Sequence, residues 1–318
     1  MTYATGQIIN ASDYVGFRGN QGPGSPYASS LVATNKLAAL VGVGFATRGY
    51  GQTSFSMPPV ATGDVITAAQ WNGIISAMSL INTHTGTGLS LPASVSAGSS
   101  IVAFDGTSSR PDIASQIASL DTARLSFDVG QMSLTSAASS ARTTPWTTSV
   151  THEFTATFAS EDEARYFFNS GGNIYASASR TGGSTSTINS SMSTILSNMG
   201  TVRFGAETTT YTGSGGTVYP IGYYDLTTGY QTLFYITNGA YGFSYGYSNV
   251  SYTLRAKAEN VFSQNGGNGS IVRFQAVFAE TAASYVSIDG TLTSSISQLK
   301  AAGALAVASP TYSTTVPL

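Results

Sequence analysis

Two histidines, His84 and His152, are all the imidazole this 318-residue chain contains, and it has no cysteine. Neither histidine belongs to a His-x-x-x-His pair, so no zinc-ligand spacing exists. A serine nucleophile needs a histidine base in reach, and no Gly-x-Ser-x-Gly elbow is present. His84 lies in a Thr/Gly stretch. His152 sits in an alternating run and reads as a partly buried strand residue. The run Glu161-Asp162-Glu163 offers carboxylates, but a glycosidase pair must straddle a sugar at a set separation. Adjacent acids at a helix start serve the helix dipole instead. Gly213-Ser214-Gly215-Gly216 lacks the lysine and the strand-to-helix setting of a phosphate loop. No catalytic residue, metal site or cofactor is therefore expected.

Aromatic residues are the better candidates for contact. Tyr241, Phe243, Tyr245 and Tyr247 alternate with Gly and Ser, and Tyr223, Tyr224 and Tyr230 lie nearby in sequence. Tyrosine gives large contact area at low entropic cost, and Gly and Ser keep such a loop adaptable. The set is either a sugar- or protein-contact surface or the packing of a subunit interface. A second set reads as assembly residues: Tyr14, Tyr50, Trp71 and the narrow stripe Ile113, Ile117, Leu120. That stripe is either a seam between copies of the chain or a face packed on its own domain.

The composition restricts what can position these residues. Only 28 residues are charged, 9% of the chain, against about 25% in an ordinary soluble domain. In their place stand 35 Gly, 46 Ser, 41 Thr and 18 Tyr. Hydrophobic content of 42% and aromatic content of 11% exclude general disorder. A net charge of −2, with ten Arg and three Lys scattered singly, gives no footprint for nucleic acid or anionic lipid. No run of 18 apolar residues exists, so membrane insertion is not expected. The N-terminus has neither a basic segment nor an apolar core of the secretory kind. Such uncharged, hydroxyl-rich chains suit β-rich structural or surface proteins that assemble with copies of themselves.

An internal echo marks residues 1–90. Gly6-Gln7-Ile8-Ile9-Asn10-Ala11-Ser12-Asp13-Tyr14 aligns with Gly63-Asp64-Val65-Ile66-Thr67-Ala68-Ala69-Gln70-Trp71. Each reads as a short extended piece feeding a capped helix, with Asn10 or Thr67 as cap and Asp13 or Gln70 reaching back. In the second, Ile74, Ile75, Met78 and Ile81 share a face with Trp71. Leu37, Leu40 and Val41 suggest another short helix, and residues 83–108 a low-complexity linker. Helix spacing returns over 110–125, with Pro111 in the first turn.

From 148 onward strand alternation dominates: 150–158, 174–180, 201–209, 231–237, 250–258 and 271–279, the last two as a hairpin. Ser160 starts a helix that stops at Gly171-Gly172, and another helix carries Ile188, Met192, Ile195, Leu196 and Met199. Residues 211–224 read as loop, and 294–302 as a short helix in an otherwise extended tail. The fold class expected is α+β: an extended and helical N-terminal docking region (1–90), a linker with one helix (91–147), a β-rich, sandwich-like domain with short helices (148–285) and a tail (286–318).

Several segments resemble virion structural proteins of tailed bacteriophages, especially fibre-like tail proteins of marine and cyanobacterial phages. The specific part is Arg165-Tyr166-Phe167-Phe168-Asn169-Ser170-Gly171-Gly172. Phe154-Thr155-Ala156-Thr157-Phe158, Ser179-Arg180-Thr181-Gly182-Gly183, Tyr224-Asp225-Leu226-Thr227-Thr228 and the paired N-terminal units add to it. The resemblance implies a non-enzymatic homo-oligomer, expected to be a trimer, of short-fibre or attachment type. It would be assembled in the host cytoplasm and released by lysis. Its implied partners are other tail, baseplate or collar proteins and a host surface glycan. A lectin-like module and a collar or baseplate adaptor are the alternatives.

Overall fold

A computed structural model describes residues 8–19, 37–52, 57–58, 60–61, 63–102, 112–238, 250–260, 265–281 and 287–315. Among the described residues, six helices and eleven strands in two antiparallel sheets make the α+β fold that the alternation predicts. The strands are β1 (Met132–Arg142), β2 (Ser149–Thr157), β3 (Asn173–Thr181), β4 (Val202–Phe204), β5 (Thr209–Tyr211), β6 (Thr217–Val218), β7 (Gln231–Thr237), β8 (Val250–Ala258), β9 (Ile271–Glu280), β10 (Thr291–Ala301) and β11 (Thr311–Thr315). One sheet runs β1-β10-β3-β4-β5, the other β11-β2-β9-β8-β7-β6.

The two sheets face each other across an aromatic core. Val150, His152, Phe154 and Ala156 point inward from β2, and Val272, Phe274, Ala276 and Phe278 from β9. Between them Thr151, Glu153 and Thr155 of β2 and Arg273, Gln275 and Val277 of β9 alternate onto the opposite face, so the period of two separates core from surface. Phe204 of the first sheet meets Phe274 of the second edge to face at 5.4 Å. Helix α6 (Thr187–Met199) packs against β3 and β8, burying Ile188, Met192, Ile195, Leu196 and Met199 where β4 and β5 are short.

The predicted helix over 294–302 is instead strand β10, paired on both sides by β1 and β3. Leu292, Ile296 and Leu299 are the apolar residues of this run, spaced at i, i+4 and i+7, which mimics a helix. Its other buried residues include Ser294 and Gln298. Ser294 Oγ lies 2.9 Å from His152 Nδ1, and Gln298 reaches Ser309, Thr135 and Tyr312. Buried polar residues satisfied by partners disguise the strand period. Strand β1 from 91–147, and β10 and β11 from 286–318, thus complete the two sheets. The predicted loop over 211–224 contains β6, and the predicted strand over 201–209 divides into β4 and a turn before β5.

The N-terminal helices are α1 (Ala11–Arg18), α2 (Leu37–Val41), α3 (Ala68–Thr85) and α4 (Ile113–Thr122). Both predicted capping boxes form: Asn10 with Asp13, and Thr67 with Gln70. Ile9 and Ile66 precede the caps, and Tyr14 and Trp71 follow four residues into each helix, the positions of a hydrophobic staple. Of the predicted linker (83–108), residues 83–85 end α3, 86–102 run as a strap held by side chains of that helix, and 103–108 lie outside the described residues. The Asn82 side chain donates to the Leu89 carbonyl and accepts from its N–H, at 3.0 and 2.8 Å. Asn72 holds Val95 the same way, at 3.0 and 2.9 Å. Helix α4 is capped by Asp112, and Pro111 lies outside the described residues.

Helix α5 (Glu161–Asn169) joins these helices to the sandwich. Its Arg165 is fully buried and donates to the carbonyls of Val43, Ala46 and Arg48 and to Asp162. Asn169 Nδ2 donates to Ala46 and Gly49. The Tyr224 hydroxyl lies 2.6 Å from the Ala46 carbonyl and 2.7 Å from Asn169 Oδ1. The loop can present these carbonyls because Gly49 adopts φ 111, where a Cβ would fall 2.2 Å from the Val43 oxygen.

His152 makes the fold acid-sensitive. It is fully buried, with its ring edge-on to Phe278 at 5.4 Å. Burial, and the charge of Arg142, push its pKa down to about 4. The unfolded chain protonates this histidine near pH 6.5 and the folded chain does not, so stability is complete above 6.5 and falls toward pH 4. The expected loss is on the order of 3 kcal/mol. His84, also pushed down by burial, adds in the same direction. Urea unfolding at pH 7 and pH 4.5 should show this loss, and His152→Leu should remove most of it; an equal loss in the variant would contradict the assignment.

Candidate functional site

The sequence candidates divide sharply. Tyr14, Tyr50, Trp71, Ile113, Ile117 and Leu120 are all at most 1% exposed within one core. The isoleucine stripe therefore packs on its own chain and is not a seam between copies. Among the contact tyrosines, Tyr223 is fully buried: it stacks on Phe168 at 4.5 Å and donates its hydroxyl to the Gly269 carbonyl. Tyr224 is tied into the Arg165 joint. Burial raises both phenol pKa values well above the ordinary 10. These two corrections share one cause: the chain preceding β7 turns inward. Tyr241, Phe243, Tyr245 and Tyr247 lie outside the described residues.

Tyr230 is half-buried, and it belongs to a charged cluster. The outer face of the six-stranded sheet aligns Glu153, Gln275 and Arg255 in one cross-strand row and Thr155, Arg273 and Lys257 in the next. Arg273 pairs with Glu153 at 3.2 Å and with Glu259. Gln275 donates to Glu153 at 3.0 Å, the Tyr230 hydroxyl donates to it at 2.7 Å, and Arg273 also donates to Thr155. The Lys257 ammonium stands 4.9 Å from the Tyr230 ring centroid. Lys257 and Arg273 are directly opposed like charges, which is unfavourable unless acids interleave. Glu153 and Glu259 do so.

The electrostatics suit recognition more than proton transfer. Partial burial pushes the Glu153 carboxyl up. Hydrogen bonds from Tyr230 and Gln275 and the Arg273 charge outweigh that and hold it below its ordinary range. Partial burial, then the hydrogen bond to Glu153 and its charge, keep the Tyr230 proton on above the ordinary range. Neither group titrates near neutrality, so the arrangement is a fixed polar surface. Arg255 is exposed beside it, giving three cations against two carboxylates in a chain of net charge −2. The sequence contains this cluster as the outward positions of three alternating strands; only the register brings 153, 257 and 273 together.

The acidic run at the start of α5 serves the helix, as its place predicts. Asp162 holds Arg165 and accepts from Asn265 at 3.0 Å on each oxygen, and Ser160 caps the Glu163 N–H. His84 Nε2 lies 3.1 Å from the Ser170 carbonyl inside the core. Among the described residues no group of three or more His, Asp or Glu could hold a metal, and no helix is long and apolar enough to cross a membrane. Comparison with protein-family models, curated proteins and solved structures finds no match.

The coupling of Tyr230 and Glu153 is directly measurable. Glu153→Gln should lower the pH at which Tyr230 ionises, and Tyr230→Phe should raise the Glu153 pKa. Carbon NMR of the carboxyl and phenol positions reads both, and unchanged values in either variant would contradict the contact.

Proposed function

We propose that this chain is a non-enzymatic virion structural protein of the tailed-phage type, a fibre-like or attachment component that assembles with copies of itself, as a trimer. The supporting observation is what the chain does with Arg165 through Gly172, the segment that carries the likeness. Arg165 and Asn169 tie the N-terminal loop down, Phe167 and Phe168 fill the core, and Gly171 turns the chain into β3. The residues on which the resemblance rests are thus architectural, which fits a protein of structural role. The sparse charge fits a protein whose surface is covered by neighbours. The charged outer face of the six-stranded sheet is the natural contact surface for another virion protein or for a host surface.

Light scattering on the purified full chain at micromolar concentration tests this reading. A molar mass near three times the 32.8 kDa chain is expected. A monomer that persists as concentration rises would overturn the assembly reading.

A further inference from the structure

A second site lies away from the charged face, where the end of α5 meets the turn between β4 and β5. A cavity of about 220 Å³ is lined by Phe127, Phe168, Gly171, Arg203, Glu207 and Thr208, among others. Its apolar side is the Phe127 ring, and Gly171 leaves room beside it: a Cβ there would fall 2.3 Å from that ring. Arg203 is held from behind. Its Nε donates to Asn173 Oδ1 at 2.9 Å, and its guanidinium lies 5.5 Å from the Phe127 ring centroid. Asn173 is itself fixed by donating to the Gly171 carbonyl. Arg48, Arg165, Arg180 and Arg273 all spend their charge on Asp or Glu. Arg203 has no carboxylate partner among the described residues, and its two terminal nitrogens have no acceptor there.

Glu207, exposed in the turn, also lacks a hydrogen-bond or ion-pair partner among the described residues. One cation and one anion thus line a single cavity without pairing with each other. A guanidinium fixed through Nε presents its other nitrogens to a planar carboxylate. An anionic ligand without a positive group would meet Glu207 unfavourably, and a cationic ligand without a carboxylate would meet Arg203 so. A net-neutral ligand carrying both charges satisfies both walls. The volume is below the roughly 300–1,000 Å³ of drug-sized sites, which limits the ligand to one small unit.

We propose that this cavity binds a free zwitterionic α-amino acid with an apolar side chain, its carboxylate on Arg203, its ammonium toward Glu207 and its side chain against Phe127. The inference stands apart from the assembly reading: a monomer that binds amino acid would overturn that reading and leave this one intact.

Ligand-observed NMR on the full chain tests it with L-leucine and L-phenylalanine as probes. Acetyl-leucine, which lacks the ammonium, and leucinamide, which lacks the carboxylate, serve as controls with glucuronate and phosphate. Saturable binding of the two amino acids is expected, weakened at least about tenfold in both leucine derivatives and in Arg203→Met and Glu207→Gln. Circular dichroism confirms that each variant is folded; Glu207 lies in an exposed turn, so its variant keeps the test decisive if Arg203→Met does not fold. Absence of saturation by either amino acid, equal binding of the derivatives, tighter binding of glucuronate or phosphate, or unchanged binding in folded Glu207→Gln would each overturn the proposal.

Discussion

A buried guanidinium is the constraint on which the rest of this molecule depends. Arg165 has no exposure, so its charge has been taken entirely out of water, at a cost that only well-made partners offset. Those partners come from three loop carbonyls and one carboxylate. The carbonyls lie about 120 residues away in sequence, on the loop following α2. Hydrogen bonds to a charged donor contribute roughly 1.5–3 kcal/mol each, and leaving such a group unpaired is more costly still. The helical layer and the sandwich are thereby tied to each other through helix α5.

The same economy runs through the core. Beside its apolar residues, this core buries Ser294, Gln298, Asn189 and His152, each with a hydrogen-bond partner. Asp289 gathers Arg180, Ser184 and Asn189 at one corner, as Glu153 gathers Arg273, Gln275 and Tyr230 on the outer face. With few charges available, those in such clusters organise several neighbours.

What could be read in advance follows from this distribution. The capping boxes at Asn10 and Thr67 and the strands with apolar residues at every second position were legible, because each depends on residues a few positions apart. Strand β10 was not, because Ser294 and Gln298 occupy inward positions and break the apolar alternation. Tyr223 and Tyr224 looked like surface contacts because their loop is rich in Gly and Tyr; their hydroxyls are satisfied by Gly269 and Ala46, far away in sequence. The charged face required strand register, and the Arg165 joint required a contact between segments that no local pattern links. Tyr230 was found as a contact candidate, without its carboxylate.

Native-state hydrogen exchange tests the joint most directly. The amides of Tyr50, Gly51 and Gln52 bond back to Leu40, Gly42 and Val41 within the clamped loop. If Arg165 makes the helical layer and the sandwich one cooperative unit, these amides exchange only by global opening, with the same free energy as amides in β8 and β9. In Arg165→Met their opening free energy should then drop by about 3 kcal/mol relative to those strands. Independent, low-energy exchange of the loop in the unsubstituted chain would contradict the account.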